Sequence, residues 1–208
     1  MSRILITSGP TRQYLDPVRY ISNGSSGRMG CALGQAAIDA GHDVVIVSGP
    51  VNIEYPQTAE VIPVVSTEEM LEACLGVWND CDGMIGVAAP CDYRPVDVAK
   101  GKITKTGDSL SIKLIETPDI VAGLAEVKTS QWIVAFALET GDRHLRAMQK
   151  LERKKCDLIV LNGPEAMFAS KTRVEVLNRD GQVLADIEGD KPQVAVKVFD
   201  VISQQLIR

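Results

Sequence analysis

The segments ILITSG (residues 4–9), CALGQAAIDAG (31–41) and HDVVIVSGP (42–50) predict a strand, a helix and a second strand in succession. Both strand segments are short, continuous apolar runs, which are typical of parallel strands covered by helices on both faces. Gly41 follows the last periodic residue and ends the helical pattern. This first unit therefore favours an open α/β sheet in which strands and helices alternate.

The rest of the chain continues the alternation. Further strands are predicted at 61–65, 82–90, 132–140 and 157–162. Helices are predicted over 66–78, with Ser66 or Thr67 as N-cap and Glu68 and Glu69 in the first turn, and from about residue 142 to 155. The predicted fold is a Rossmann-like, doubly wound α/β sheet, mostly parallel.

Two segments interrupt this alternation. Residues 102–117 look like a hairpin that turns at 106–108, inserted between a strand and a helix. Residues 173–189 carry an Asp180–Gly181 turn between β-rich runs, which predicts an antiparallel hairpin near the C-terminus. A last helix is predicted to begin near Asp190, with Pro192 in its first turn.

Composition narrows the class of protein. The 208 residues carry a formal net charge of -5, which argues against a general nucleic-acid binder or a membrane-surface binder. The N-terminus enters a strand pattern directly, and no apolar stretch approaches the length of a membrane span. Five scattered cysteines without a CxxC pair disfavour a zinc knuckle or a disulfide framework. We expect a protein of the reducing cytoplasm.

A long connection, SGPTRQYLDPVRYISNGSSGRMG (8–30), is predicted between the first strand and its helix. It is far longer than a structural turn needs and contains Arg12, Arg19 and Arg28, so we interpret it as functional. The alternative is a solvated lid without a ligand. Its last residues, Ser25 to Gly27, can offer N–H groups and hydroxyls to an anion at the helix N-terminus. Plain N-capping by a serine is the other interpretation.

The patterns of common cofactor enzymes are absent. No GxGxxG follows the first strand, no acidic residue closes the second, and no GxxxxGK[ST] occurs. No tyrosine has a lysine four residues on, and neither His42 nor His144 stands in a hydrolase triad pattern.

Other candidates follow the later strands. The run GVAAPCDYRP (86–95) has small residues that let a flat ligand approach the backbone, and Asp92 can bind a base, a ribose or a metal, or simply cap a turn. If 102–117 is a hairpin, at most one of Lys102 and Lys105 faces a ligand, because side chains three apart on a strand point to opposite faces. The alternative is that both protect an exposed edge.

Lys150 and Lys154 lie four apart on one face of a predicted helix. Without further information they would be solvated cations near a helix C-terminus. Moreover, a helix C-terminus in a doubly wound fold points away from the ligand crevice.

Seven motifs, in order along essentially the whole chain, resemble those of phosphopantothenoylcysteine synthetases: TSGPTR, YLDPVRYISNGSSGRMG, AAPCDYRP, GKITK, ETPDIV, AFALET and KLERKKCDLIVLN. The resemblance implies one synthetase domain over 1–208 with the Rossmann-like fold predicted above. It also implies an enzyme of coenzyme A biosynthesis that joins 4′-phosphopantothenate to L-cysteine. In bacterial members CTP activates the carboxylate as an acyl-cytidylate with release of pyrophosphate, and cysteine then displaces CMP.

The family uses Mg²⁺ and forms homodimers, and some members use ATP instead of CTP. By motif, Asn23 corresponds to the asparagine that handles the acyl-nucleotide intermediate, and Lys102 to a lysine linked to the nucleotide phosphates and to formation of the intermediate. The nucleotide site implied comprises Gly86, Val87, Ala88, Asp92, Lys102, Pro118, Asp119, Ile120, Val121, Phe136, Lys150 and Lys154. Residues Ser25, Ser26, Gly27 and Arg28 are expected to hold a phosphate, either of the pantothenate or of the nucleotide. Protein ligands of the metal are not implied.

Three features depart from the family pattern. AAPCDY replaces an AAVADY-like run, placing Pro90 and Cys91 in the loop, and KITK replaces KIKK. The flavin-dependent decarboxylase domain of bifunctional members is missing, so we expect a natural stand-alone synthetase or an excised half that binds no flavin. A separate decarboxylase protein or domain is then an expected partner. Competing hypotheses are an NAD(P)-dependent reductase and a nucleotide-binding module without activity.

Overall fold

The computed structural model describes residues 1–138, 142–162 and 171–207. The strands are β1 (Arg3–Ser8), β2 (Arg12–Tyr14), β3 (Tyr20–Ser22), β4 (Asp43–Ser48), β5 (Glu60–Pro63), β6 (Gly83–Gly86), β7 (Tyr93–Pro95), β8 (Leu114–Glu116), β9 (Trp132–Leu138), β10 (Leu158–Asn162), β11 (Lys171–Asn178) and β12 (Val183–Asp190). The helices are α1 (Arg28–Asp39), α2 (Thr67–Trp78), α3 (Ile120–Glu126), α4 (Arg143–Arg153) and α5 (Lys191–Leu206).

Eight strands form one sheet in the order β12-β11-β10-β9-β6-β1-β4-β5. The strands from β5 to β10 are parallel, whereas β11 and β12 are antiparallel to their neighbours. The chain runs outward from β1 to β4 and β5, then returns to β6 on the other side of β1. The order therefore reverses between β1 and β6, and at such a switch point ligands bind outside the carboxyl ends of the strands.

Each face of the sheet carries its own apolar layer. Buried side chains of α2, α3 and α4 pack on one face, around Met70, Leu124 and Leu151. Those of α1 and α5 pack on the other, around Leu33 and Phe199. Consecutive residues of the central strands alternate between the two layers, as the continuous apolar strand patterns predict. The predicted doubly wound, mostly parallel α/β fold is confirmed.

Several predicted boundaries are confirmed with small shifts. Helix α1 begins at Arg28 rather than at residue 31, and β6 ends at Gly86 rather than at residue 90. The predicted cap of α2 is Ser66, which forms a capping box with Glu69. The C-terminal hairpin and the start of the last helix also agree with their predictions. The end of the predicted strand 132–140 lies outside the described residues.

The long connection after β1 contains a short hairpin that the sequence did not predict. Strands β2 and β3 pair antiparallel, with Arg12 opposite Ser22 and Tyr14 opposite Tyr20. Its turn is held by the carboxylate of Asp16, which accepts backbone N–H groups of Val18 and Arg19 at 2.8 Å each. The connection is thus a built structure and not a loose lid.

The inserted hairpin has different strands from those predicted. Only the two ends of the insertion pair, β7 with β8, while residues 96–113 form a long irregular loop between them. The prediction of strands running from residue 102 was wrong, because this mostly exposed segment has no partner strand within the described residues. The alternation argument for Lys102 and Lys105 therefore fails, since neither lysine lies on a strand.

Candidate active site

A cavity of about 850 Å³ opens along the carboxyl ends of β1, β6, β9 and β10. It coincides with the switch point of the sheet, where the fold predicts a ligand site, and its volume suits a nucleotide-sized molecule. Every predicted site residue except Lys102 lines this cavity. The residues that the sequence separates by more than a hundred positions thus come together at one edge of the sheet.

The N-terminus of α1 forms one wall of the cavity. Gly27 precedes the helix with a φ of +74°, and no side chain caps the helix there. The first turn contains no acidic residue, while Arg28 begins the helix and is exposed. The helix dipole and the unpaired first N–H groups therefore favour an anion at this point. The alternative interpretation, plain N-capping by Ser25 or Ser26, is wrong, because neither serine caps α1.

The approach of α1 to β1 is unusually close. The hydroxyl of Ser8 donates to the carbonyl of Gly27 at 3.1 Å and accepts from the Tyr55 hydroxyl at 2.9 Å. A Cβ atom at Gly30 would lie 2.3 Å from the Ser8 Oγ, so only glycine fits there. This contact fixes the position of the anion-binding helix end relative to the sheet.

Asn23 lies at the mouth of the cavity, just before that helix end. Its amide nitrogen donates to the backbone carbonyls of Ala89 and Pro90, at 3.2 and 2.9 Å. The same side chain that is expected to handle an intermediate thus also ties the connection after β1 to the loop after β6.

The loop after β6 forms the floor of the cavity. Backbone N–H groups of Ala88 and Ala89 donate to the Thr7 hydroxyl and the Gly9 carbonyl, at 3.3 and 2.9 Å. Asp92 is exposed at the rim, whereas Cys91 is only 3 % exposed. Burial raises the pKa of the Cys91 thiol, which keeps it neutral and argues against a nucleophilic role.

Lys150 and Lys154 both line the cavity, although the fold type predicted that the C-terminus of this helix points away from it. The ammonium of Lys154 lies 2.9 Å from the Asp119 carboxylate, which is the N-cap of α3, and its side chain is only 13 % exposed. The expectation that Lys154 points away from the ligand crevice was wrong, because its side chain lies at the cavity wall and contacts the N-cap of α3. Burial acts to raise the pKa of Asp119, but the bond from Lys154 outweighs it and lowers the pKa.

Lys102 is the predicted site residue that the cavity does not include. It is exposed in the irregular loop 96–113, next to Ile103. The backbone N–H of Ile103 donates to the buried Asp16 carboxylate at 3.0 Å, and Arg19 forms an ion pair with the same carboxylate. Burial acts to raise the pKa of Asp16, but these bonds hold it well below its usual range. The loop is therefore anchored beside the β2–β3 hairpin at the position of Lys102.

Sequence reasoning missed several residues of the cavity. Thr117 precedes the predicted Pro118, and Arg153 lies between the two predicted lysines; both line the cavity. Asn162, Thr172 and Lys191 line its far end, at the ends of β10, β11 and α5. Asn162 is the last residue of a parallel strand, and this position could have identified it from the sequence as a cavity residue. The other two belong to the antiparallel hairpin and the last helix, and no local pattern marks them.

The metal-ligating side chains of the described residues do not form a ready-made site. Within residues 1–138, 142–162 and 171–207, no group of three or more His, Cys, Asp or Glu side chains is placed to hold a metal ion.

Among those same residues, no helix is both long enough and apolar enough to span a membrane.

Comparison with known proteins gives a consistent family. Residues 1–206 match the model of the DNA/pantothenate metabolism flavoprotein C-terminal domain. The chain is 46 % identical over 162 residues to the coenzyme A biosynthesis bifunctional protein CoaBC of Vibrio vulnificus, covering 76 % of this chain and 40 % of that protein. It is 38 % identical over 205 residues to the protein of the same name from Haemophilus influenzae, covering 97 % and 51 %. The chain thus spans about half the length of these relatives, or less.

Solved structures agree. The crystal structure of the C-terminal domain of a coenzyme A biosynthesis bifunctional protein CoaBC superposes with a TM-score of 0.83 at 35 % identity, covering 99 % of this chain and 95 % of that one. A Cab2 mutant in complex with phosphopantothenate-cysteine has a TM-score of 0.80 at 17 % identity, covering 98 % and 86 %, and it shares the fold.

Proposed function

The chain belongs to the family of the DNA/pantothenate metabolism flavoprotein C-terminal domain, and from this premise we propose that it is a phosphopantothenate–cysteine ligase. The proposed reaction activates the carboxylate of 4′-phosphopantothenate with CTP to an acyl-cytidylate and pyrophosphate. Cysteine then displaces CMP to give 4′-phosphopantothenoylcysteine. The relatives named as bifunctional and the Cab2 complex named with phosphopantothenate-cysteine support this proposal.

One observation carries the proposal: the cavity at the switch point joins an uncapped helix end to a cluster of cations. The end of α1 and Arg28 lie on one wall, and Lys150, Arg153 and Lys154 lie on another. A carboxylate becomes reactive toward an amine only when one of its oxygens becomes a leaving group. A carboxylate can approach a nucleotide phosphate only if the negative charges of both groups are neutralised. The helix end and the cationic side chains on the two walls can provide this neutralisation.

The nucleotide would lie between the loop after β6 and the start of α3. Gly86 and Ala88 let a flat ring approach the backbone, and Phe136 offers an aromatic surface beside it. The Lys154–Asp119 ion pair fixes the lysine at the cavity wall, within reach of the phosphates. We propose that the α1 end and residues Ser25 to Gly27 bind a phosphate of one of the two substrates.

Asn23 would bind the acyl-nucleotide intermediate. To donate to an acyl or phosphate oxygen, its amide must exchange the carbonyls of Ala89 and Pro90 for that oxygen. The exchange is local, because Asn23 is exposed at the cavity mouth. Loss of these two hydrogen bonds would also loosen the loop after β6, which lines the proposed nucleotide site. The role of Asn23 can therefore be tested both in formation of the acyl-nucleotide and in its reaction with cysteine.

Mg²⁺ fits this cavity only as an ion shared with the substrate phosphates. Mg²⁺ commonly keeps several waters and takes one or two carboxylates together with phosphate oxygens. Asp92 and Glu116 both line the cavity, are exposed and form no ion pair with any residue in the described ranges, so these are the two carboxylates available to hold the ion. When bound, the ion would neutralise phosphate charge.

We also propose the homodimer that the family resemblance implies. The β2–β3 hairpin, the β7–β8 pair and the loop between β7 and β8 expose large apolar side chains, namely Val18, Tyr20, Val96, Val98, Leu110, Ile112, Leu114 and Ile115. Clustered apolar side chains of this kind mark protein–protein contacts. Because Lys102 lies in the same loop and outside the cavity of its own chain, its role in the nucleotide step requires either movement of the loop or a second copy.

The test measures pyrophosphate release with 4′-phosphopantothenate and Mg²⁺, with CTP or ATP, and with or without cysteine. We expect turnover that depends on CTP and forms 4′-phosphopantothenoylcysteine when cysteine is present. Turnover with ATP alone would keep the ligase and change its nucleotide. No product with either nucleotide would overturn the proposed function and leave the nucleotide-binding module as the alternative.

A further inference from the structure

Three threonine hydroxyls, those of the fully buried Thr11 and Thr67 and of the partly buried Thr117, converge on the backbone of one residue, Cys91. The backbone N–H of Cys91 donates to Thr11 Oγ1 at 2.8 Å. Its carbonyl accepts the hydroxyl of Thr67 at 3.1 Å and that of Thr117 at 2.5 Å. The hydroxyls of Thr11 and Thr67 are 2.8 Å apart. Cys91 is therefore held at both polar groups of its backbone by side chains from three other segments.

The direction of these bonds follows from the single hydrogen of each hydroxyl. Because Thr67 donates its hydrogen to the Cys91 carbonyl, it must accept in its bond with Thr11. Thr11 therefore donates to Thr67 and accepts the N–H of Cys91. The bonds form a closed ring that begins and ends on Cys91, and hydrogen bonds arranged head to tail in this way polarise one another.

The two threonine hydroxyls of the ring lie behind the cavity, whereas Cys91 itself lines it. Thr11 and Thr67 are both 0 % exposed, and neither lines the cavity. Thr11 follows β1 and Thr67 is the first residue of α2.

The segments that the ring holds do line the cavity. The carbonyls of Ala89 and Pro90 accept the Asn23 amide, and the backbone N–H of Thr117 donates to the Asp92 carbonyl at 2.9 Å. Thr117 is followed directly by Pro118. The backbone of Cys91 therefore links the loop after β6 to the segment 117–121, which form two walls of the proposed nucleotide site.

We propose that Thr67, together with Thr11, is a positioning residue that sets the spacing between the loop after β6 and the segment 117–121, and so the fit of the nucleotide. The inference rests on the proposed function for the identity of the ligand. Thr67 acts only through Cys91 and touches no substrate.

The test replaces Thr67 with valine, which keeps the shape and removes the hydroxyl, and with serine, which keeps the hydroxyl. We expect Thr67→Val to raise the KM for the nucleotide by on the order of tenfold, since small displacements of binding groups have effects of this size or larger. The KM for 4′-phosphopantothenate should change little, and Thr67→Ser should restore the nucleotide KM. Thr129→Val is the control for the loss of a threonine hydroxyl away from the cavity, because this exposed residue loses one bond to Gln131 before β9, at the opposite end of the strands.

Calorimetric titration with CTP and with ATP measures the same shift without turnover. If the wild-type protein binds nucleotide but shows no turnover, the proposed reaction is refuted. The comparison of nucleotide affinity between wild type and Thr67→Val then still tests the positioning role. If Thr67→Val fails to fold, Thr11→Val interrupts the ring at its other hydroxyl. The inference is overturned if the folded valine variant binds nucleotide like the wild type. It is also overturned if all substrates lose affinity equally and serine does not restore it, since that pattern indicates general destabilisation.

Discussion

Helices α1 and α2 are both twelve residues long, yet their N-termini are built in opposite ways. Helix α2 begins with a complete capping box between Ser66 and Glu69 and carries two glutamates in its first turn. Helix α1 begins after Gly27 in a left-handed conformation, with no side-chain cap and no acidic residue in its first turn. The protein thus satisfies one helix end internally and leaves the other open toward the cavity.

The difference separates a structural helix end from a binding one. A good N-cap typically stabilises a helix by about 1 kcal/mol, so α1 forgoes stabilisation that α2 obtains. The open N–H groups and the dipole of α1 are then available to a phosphate group. Substitutions at the two ends should accordingly affect different properties: activity at α1 and stability at α2.

The largest effect is expected just before α1, at Asn23. Asn23→Ala removes the amide that is proposed to bind the intermediate, and we expect the second half-reaction to slow by about a hundredfold or more, the usual size for loss of an oxyanion donor. Rapid-quench analysis of acyl-cytidylate formation and of its reaction with cysteine measures the two steps separately. The exposed Asn52→Ala is the control. Unchanged product formation by Asn23→Ala would remove the assigned role.

A second variant tests whether the α1 end and the cations that line the cavity are enough for the nucleotide-dependent step without Lys102. Lys102→Gln removes an exposed cation outside the cavity, and we expect turnover at limiting CTP to fall by on the order of tenfold, because a transition-state charge loses its partner. Lys105→Gln, in the same exposed loop, is the matched control and should behave like the wild type. Wild-type turnover by Lys102→Gln would show that the open helix end and its neighbours act without this lysine.

A third variant gives α1 a feature of α2. Arg28→Glu places an acidic residue in the first turn, which is expected to stabilise the helix by about 0.3–1 kcal/mol. The same charge repels a bound phosphate, so the KM of the substrate held there should rise several-fold while Tm does not fall. Comparing the KM of CTP with that of 4′-phosphopantothenate identifies which phosphate binds at α1. Lys197→Glu, an exposed residue of α5, is the charge-matched control, and equal KM values for Arg28→Glu and wild type would show that no phosphate binds there.

The smallest effect is expected at the α2 end. Ser66→Ala breaks the capping box and should lower the free energy of unfolding by about 1 kcal/mol. The KM values should stay unchanged, because the Thr67 hydroxyl keeps its bonds to Thr11 and Cys91. Thermal unfolding and steady-state kinetics of the same preparation measure both. A large rise in the KM of CTP would mean that the two helix ends are not independent.

The sequence by itself determined the elements whose signals are local. Continuous apolar runs marked the parallel strands, Ser66 and Glu69 marked the start of α2, and Asp180–Gly181 marked the turn of the last hairpin. Asp92 follows a strand, so it could be placed near a crevice because strand ends meet at one edge of a parallel sheet. Asn23 was identified only through the family resemblance.

Only the tertiary structure decided which distant segments meet. The insertion looked like a hairpin from residue 102, yet strand pairing depends on a partner, and only β7 and β8 find each other. The position of Lys154 at a helix C-terminus predicted that it points away from the crevice, whereas in the fold its side chain contacts Asp119 at the cavity wall. The ring of hydroxyls on Cys91 joins residues up to 80 positions apart, and each of those residues is unremarkable in its local sequence. Periodicity and capping act between neighbours in the chain, whereas burial and side-chain hydrogen bonds across the fold depend on packing that no local pattern records.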